Sequence, residues 1–175
     1  MSDLASKTCY ITGHRDIPVY DEQKILTRVR YIVEPLIREG VVYFGVGGAV
    51  GFDMFVTEYL LSLRDHYAKK ISIISVLPYP GWRDNWPEEM KKREERILCR
   101  CNKITYVGRE PSRFIYFERD RKLVDGSGYC VCYCNRLTGG TAYTVRYAMS
   151  KGVKVFNAGS WDLRQLGQKS FKSPS

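Results

Sequence analysis

Short apolar runs rich in β-branched residues alternate with segments of helical periodicity along almost the whole chain. Six runs have the length and composition of buried strands, at 8–12, 41–46, 71–77, 104–107, 129–134 and 153–156. Apolar residues at helical spacing lie between them, at 21–39, 51–64, 88–98, 112–125 and 141–150. Such alternation is typical of a parallel sheet covered by helices on both faces. We therefore predict an α/β three-layer sandwich with a mostly parallel sheet of about six strands.

Length and charge define the expected domain organisation. A chain of 175 residues with 44% hydrophobic residues is long enough for one well-buried core. The net charge is +9, and the last forty residues hold seven Lys or Arg against the single acid Asp162. We predict one domain over residues 1–160, followed by a basic C-terminal tail at 161–175.

The sequence contains no apolar stretch of the roughly 20 residues that a membrane helix needs. The first residues, MSDLASK, lack the apolar segment of a signal peptide. We expect a cytoplasmic protein that does not contact a membrane.

The cysteines favour buried thiols over chemistry. Cys130, Cys132 and Cys134 alternate along one predicted strand, which places all three on the same face. The six cysteines of the chain form no CxxC pair, the usual spacing of zinc and redox sites. We expect reduced thiols, no metal and no bound cofactor.

A glycine turn follows the second predicted strand. Residues 45–53 read GVGGAVGFD, so that a strand, a turn and a helix start occur in succession, with Asp53 in the first helical turn. Glycines allow backbone amides to approach a ligand, and the amides and dipole at a helix start favour an anion. Asp53 either hydrogen-bonds a ribose diol or transfers a proton, or it only stabilises the helix N-terminus.

Other polar residues follow three further strands. Gly13, His14 and Arg15 follow the first strand, Tyr79 and Trp82 lie in the loop after the third, and Thr138, Gly139, Gly140 and Thr141 come after the fifth. The carboxyl ends of parallel strands share one edge, where such sheets bind ligands. His14 and Arg15 suit a phosphate, and the aromatic pair suits a base, although a surface histidine and simple loop packing are the alternatives. Two glycine turns at one edge favour a binding site.

Familiar nucleotide signatures are missing. The chain has no GxxxxGK[ST] motif, which disfavours a P-loop NTPase. The run GVGGAVG does not spell GxGxxG, and Val76 and Leu77 stand at the end of the next strand where a dinucleotide fold has an acid. An NAD-dependent oxidoreductase is therefore disfavoured.

Four motifs in order, TGHR at 12–15, GGAVGFD at 47–53, the PYPGW loop and TGGTAYTVRYA at 138–148, resemble the SLOG superfamily. This Rossmann-like group includes the LOG phosphoribohydrolases and the DNA-processing protein DprA, and the chain is most similar to its YpsA-like branch over residues 7–157. Arg119, in RDRKLVD, resembles a pattern of that branch and would reach a phosphate, an exposed helix position being the alternative. The resemblance implies a nucleotide-derived ligand between the two glycine motifs. The candidate ligand-binding residues are Gly13, His14, Arg15, Gly47, Gly48, Gly51, Asp53, Tyr79, Trp82, Arg119, Thr138, Gly139, Gly140 and Thr141, with Asp53 also the candidate catalytic residue.

One departure from the resemblance concerns catalysis. The second motif of LOG-type enzymes reads PGGxGTxxE, and its glutamate takes part in N-glycosidic cleavage, whereas Val145 and Arg146 stand at that place here. This argues against LOG-type activity on nucleoside monophosphates. The leading hypothesis is binding of a nucleotide or nucleotide-derived small molecule, for sensing or processing. The alternatives are a DprA-type single-stranded nucleic-acid module, favoured by the basic charge, a LOG-like phosphoribohydrolase, and a partner-binding regulator, with homodimerisation possible for such a fold.

Overall fold

A sheet of six strands forms the centre of the molecule. The computed structural model describes residues 2–66 and 68–167. The strands are β1 (Thr8–Gly13), β2 (Tyr43–Val46), β3 (Ser72–Leu77), β4 (Lys103–Tyr106), β5 (Tyr129–Tyr133) and β6 (Lys154–Asn157). Their order in the sheet is β4-β3-β2-β1-β5-β6, and every neighbouring pair is parallel. The predicted α/β Rossmann-like sheet is thus confirmed.

Helices connect the strands. They are α1 (Asp3–Ser6), α2 (Glu22–Arg38), α3 (Phe52–His66), α4 (Glu88–Leu98), α5 (Ile115–Asp125), α6 (Gly140–Ser150) and α7 (Arg164–Gly167), with a 3-10 turn at Val19–Asp21. The helix predicted at 112–125 begins at Ile115, because Phe114 has a non-helical backbone (φ −111°, ψ 1°). Within the described ranges, every helix is too short or too polar to span a lipid bilayer.

Two buried clusters lie on opposite faces of the sheet. On one face, α2 and α3 bury residues such as Val29 and Leu60. On the other face, α5 and α6 bury Leu123 and Val145 together with the thiols of residues 130, 132 and 134. The three alternating cysteines therefore share one face, as predicted, and all six thiols of the chain are free.

The strand order reverses beside β1. The chain runs from β1 outward to β4 and then returns to place β5 on the other side of β1. The two loops that leave β1 and β5 are joined, because the backbone N–H of Asn135 donates to Nε2 of His14 over 3.1 Å. In open α/β sheets, this reversal opens a crevice at the carboxyl ends of the strands.

The start of the predicted tail packs on the domain. Leu166, in α7, is fully buried, and Arg146 of α6 donates from Nε to its carbonyl over 3.2 Å. Residues 168–175 of the predicted basic tail lie outside the described residues.

Candidate functional site

A cavity of about 420 Å³ occupies the crevice beside β1 and β5. Nine of the residues singled out from the sequence line it: Gly13, His14, Arg15, Asp53, Arg119, Thr138, Gly139, Gly140 and Thr141. Seven further residues complete the lining: Thr12, Asp16, Ala49, Tyr116, Phe117, Asp120 and Arg136. Gly47, Gly48, Gly51, Tyr79 and Trp82 are not part of this lining.

The carboxyl group of Asp53, in the first turn of α3, lies against the first glycine turn. The backbone N–H groups of Ala49 and Gly47 donate to its carboxylate, so these amides are already bonded within the chain. Burial raises the pKa of Asp53 to about 7; Arg119 opposes this shift and Asp120 adds to it. The turn predicted to hold an external anion thus holds a carboxylate of its own.

The glycines of this turn allow close packing. A Cβ at Gly51 would lie 2.2 Å from the carbonyl oxygen of Arg15, and one at Gly48 would lie 2.6 Å from Oε1 of Glu94. Both glycines also have positive φ, at +95° and +70°. A Cβ at Gly47 would meet Arg119 Nη1 at 3.0 Å. These three positions bring backbone against neighbouring groups instead of exposing it to the cavity.

The aromatic loop after β3 lies mostly apart from the cavity. Trp82 is 8% exposed and packs edge-on against Trp86, with ring centroids 4.7 Å apart. The alternative of loop packing therefore describes Trp82. Tyr79 lies outside the cavity lining, and interaction with the lining residue Tyr116 raises the pKa of its phenol.

The second glycine turn is open. Gly139 has a φ of +93° and precedes α6, whose N-terminus has no side-chain cap and no acid in its first turn. A Cβ at Gly139 or Gly140 would meet nothing within 4 Å. The uncapped N-terminus of α6 thus lines the cavity, a suitable arrangement for an anion.

Arg119 and Asp120 form a buried pair on the cavity floor. Arg119 donates from Nη1 to the carbonyl of Gly47 and from Nε to Oδ1 of Asp120, both over 2.8 Å. The hydroxyl oxygen of Thr144 lies 3.0 Å from Oδ2 of Asp120 and 2.9 Å from the carbonyl oxygen of Gly140, and its single proton is donated to one of the two. Burial raises the pKa of Asp120, while Arg119 and Thr144 oppose the shift. Arg119 is therefore not an exposed helix residue, and its charge lies between two acids.

The basic residues at the rim of the cavity differ in charge state and in ion pairing. Burial, and then the charge of Arg136, lowers the pKa of His14, whose Nε2 accepts a backbone hydrogen bond. The imidazole is therefore neutral at pH 7 and is not the phosphate-binding cation that the sequence suggested. Arg136 is exposed and forms an ion pair with Asp16 across the mouth, and Arg15 is exposed beside it.

Two aromatic residues of α5 form one wall. Tyr116 and Phe117 are 39% and 37% exposed, and Phe117 packs edge-on against Tyr143 of α6 at 4.8 Å. The guanidinium of Arg121 donates to the hydroxyl of Tyr143 over 2.6 Å and lies 5.5 Å from the ring centre of Tyr147. Aromatic and cationic side chains thus alternate on the surface that continues from this wall.

Asp120, Asp16, Arg136 and the aromatic wall were absent from the sequence-based candidates. A signal for the floor residues was available: Ile115, Arg119 and Leu123 are spaced by four, which puts Arg119 on the inward stripe of α5, and Asp120 precedes Val124 by the same interval. A charged pair on an apolar stripe indicates a buried polar site.

Arg146 occupies the position of the LOG-type glutamate and has a structural role here. Arg146 donates to the carbonyls of Leu137 and Leu166, and thereby holds the second glycine turn from behind. Arg146 does not line the cavity, and the buried acids of the site come from α3 and α5. Within residues 2–66 and 68–167, no three His, Cys, Asp or Glu side chains are grouped as metal ligands.

Sequence comparisons identify relatives over most of the chain. The model of the YspA SLOG family matches residues 9–157. A UPF0398 protein of Oceanobacillus iheyensis is 19% identical over 147 residues, which cover 78% of this chain and 79% of the relative. A UPF0398 protein of Macrococcus caseolyticus is 24% identical over 132 residues, with 69% and 70% covered.

Two solved structures share the fold. DNA processing protein A (DprA) from Streptococcus pneumoniae has a TM-score of 0.60 and 16% identity, and the match covers 86% of this chain but only 49% of that protein. DprA from Helicobacter pylori, solved for its single-stranded DNA binding mode, has a TM-score of 0.61 and 18% identity, with 92% and 78% covered. At this identity, the comparison describes a common architecture.

Proposed function

This chain belongs to the YspA SLOG family, and from that premise we propose that it binds a nucleotide or a nucleotide-derived small molecule in the cavity beside β1 and β5. The observation that carries the proposal is the pairing, in one cavity, of the uncapped N-terminus of α6 with the buried acids of α3 and α5. A phosphate and a sugar differ in the groups they need, and the lining of this cavity contains both kinds of group.

The phosphate end is the second glycine turn. The amides of Gly140 and Thr141 begin a helix of eleven residues, and the exposed guanidinium of Arg15 lies on the same cavity. Both features favour a dianion, while the carboxyl groups of Asp53 and Asp120 in the same lining disfavour it. The volume of about 420 Å³ is within the range of small-molecule sites, roughly 300–1,000 Å³.

Isothermal titration tests the proposal directly. The protein is titrated with nucleoside mono-, di- and triphosphates and with ADP-ribose, and with unphosphorylated nucleosides as the matched control. Saturable 1:1 binding that depends on the phosphate is expected. Absence of heat for every nucleotide at millimolar concentration, with folded protein, would overturn the proposal.

Binding is proposed without LOG-type cleavage. Arg146 stands where the glutamate of that motif would be, and its guanidinium is bonded to backbone carbonyls. Incubation with nucleoside monophosphates is expected to release no free base by chromatography. We also propose a cytoplasmic location, since nucleotides are intracellular metabolites.

A second candidate is binding of single-stranded nucleic acid. The specific observation is the surface of Tyr116, Phe117, Arg121 and Tyr143 beside the cavity, since bases stack on aromatic side chains and arginines pair with phosphates. The fold-level likeness to the H. pylori protein, solved for single-stranded DNA binding, adds to this candidate.

Oligonucleotide titration at several salt concentrations tests this second function. A site on that surface is expected to lose affinity with salt and on substitution Arg121→Ala. Arg100→Ala is the control, because Arg100 is paired with Asp65 on another part of the surface. Equal affinities of the two variants would assign oligonucleotide binding to nonspecific charge.

A further inference from the structure

The floor of the cavity is acidic, whereas its open glycine turn is not. Asp53 and Asp120 both line the cavity and are both largely buried. Arg119 lies near both acids. Its Nε is 2.8 Å from Oδ1 of Asp120. A Cβ built at Gly47 would lie 3.0 Å from Nη1 of Arg119 and 3.1 Å from Oδ2 of Asp53. Arg119 is therefore ion-paired with Asp120, and its charge also acts on Asp53 at longer range.

Each carboxyl group keeps acceptor capacity after its contacts within the chain. Asp120 has one contact on each oxygen, with Nε of Arg119 and with the hydroxyl of Thr144. Asp53 receives backbone hydrogen bonds from Gly47 and Ala49. A carboxylate offers about four lone-pair directions, so both acids have directions left for a ligand.

The charge at this floor selects against a phosphate. When both acids are ionised, the two acids and one cation give the floor one unit of excess negative charge, which disfavours a ligand phosphate there. A neutral group with several O–H donors would instead satisfy the remaining acceptors. In a nucleotide, the group that fits this description is the vicinal diol of ribose.

We propose that Asp53 and Asp120 together bind the 2′- and 3′-hydroxyls of a ribose, so that the ligand of this cavity is a ribonucleotide and not a deoxyribonucleotide. The inference rests on the proposed nucleotide-binding function, and it adds the sugar to that function. Asp120 is the more informative residue, because its hydrogen bonds to Arg119 and Thr144 fix both of its oxygens.

The decisive experiment compares matched nucleotides on the unmodified protein. Isothermal titration is carried out with each ribonucleoside monophosphate and with its 2′-deoxy and 3′-deoxy forms. Loss of one hydroxyl is expected to weaken binding by about tenfold or more, since a hydrogen bond to a charged group is lost. Equal affinity for ribo and deoxy forms would overturn the sugar assignment and leave the nucleotide site standing. Failure of every form to bind would instead overturn the proposed function itself.

A variant then assigns the selectivity to the floor. In Asp120→Asn, the preference for ribose over deoxyribose is expected to fall towards one, with the deoxy form bound about as well as before. Asp125→Asn is the matched control, on the same helix, where the carboxylate instead accepts from the hydroxyl of Tyr147 and lies off the cavity lining. An equal loss of affinity for both sugars in Asp120→Asn would contradict diol binding. If that variant does not fold, Thr144→Val removes one support of Asp120 and is expected to lower the same ratio.

Discussion

The guanidinium of Arg119 donates to the backbone carbonyl of Gly47 over 2.8 Å, and this contact ties helix α5 to a turn 72 residues earlier in the chain. The contact fixes the turn at the same place where Asp53 accepts two backbone N–H groups. The glycine turn is therefore a packed structural element, with its carboxyl group as the part that lines the cavity.

Replacement of Arg119 is expected to destabilise the protein. Arg119→Met keeps most of the volume but leaves Asp53 and Asp120 without their shared cation, and loss of one partner of a buried ion pair costs about 3–5 kcal/mol. The loss in free energy of unfolding, measured with urea, should be larger at pH 8 than at pH 5, because a pKa of about 7 leaves Asp53 mostly neutral at pH 5 and the pKa of Asp120 is raised in the same direction. Arg121→Met, on the exposed side of the same helix, is the control and should change stability little.

Glu94 should make stability depend on pH. Both of its carboxyl oxygens are buried without a hydrogen-bond partner, and burial raises its pKa from 4.5 to about 7, opposed by Arg83. The native state thus keeps a proton that the unfolded state loses above about pH 4.5, so this group lowers stability as the pH rises to about 7.

The variant Glu94→Gln remains neutral and should remove that dependence. It is expected to be more stable than the unmodified protein at pH 8 by about 3 kcal/mol, and nearly equal to it at pH 4. Thermal and urea unfolding at both pH values measure this difference. Glu95→Gln, at an exposed neighbouring position, should show no such crossover. A lower stability of Glu94→Gln at pH 8 would contradict this and would mean that ionised Glu94 is paired with another group in the folded protein.

Two glycines with nearly the same φ should respond differently to alanine. Gly51 and Gly139 have φ of +95° and +93°, which costs a non-glycine residue about 1–2 kcal/mol. A Cβ at Gly51 would also lie 2.2 Å from the Arg15 carbonyl, whereas one at Gly139 meets nothing within 4 Å. Gly51→Ala should therefore lose clearly more free energy of unfolding than Gly139→Ala. Similar losses would show that the loop after β1 moves aside at little cost.

Gly140 should matter for binding and not for folding. A Cβ there meets nothing within 4 Å, but it projects beside the amides that are proposed to hold phosphate. Gly140→Ala is expected to keep the melting temperature and to lower nucleotide affinity about tenfold, a change of about 1.4 kcal/mol. Gly126→Ala, at the end of α5 and away from the cavity, controls for a general glycine effect. Unchanged nucleotide affinity in Gly140→Ala would contradict binding of the phosphate at the N-terminus of α6.

The element order and the layer arrangement were predictable from sequence, because buried strands and amphipathic helices have different apolar periods. The alternation of Cys130 and Cys132 predicts one face, and the structure places both in one cluster. The cavity edge was equally predictable, since parallel strands direct their carboxyl ends to one side.

The sequence did not predict that the first glycine turn is packed and the second is open. Both turns contain paired glycines at helix starts, but only tertiary packing brings Glu94 against Gly48 and leaves Gly140 in open space. The floor was also missed, because Asp120 acquires its partners from residues as far away as Thr144 on another helix. Sequence periodicity reports which face of a helix is buried, and it carries no information about which polar groups meet there.

The strand order also determines at which stage of synthesis the cavity beside β1 and β5 can form. Strands β1 to β4 are made in the order in which they pair, but the other edge of β1 waits for β5, and the loops that carry His14 and Asn135 are 121 positions apart. Helix α6, with the open glycine turn, emerges later still. A growing chain therefore holds Asp53 long before it holds the proposed phosphate site, and a nucleotide bound across both halves, as proposed, would stabilise only the completed domain.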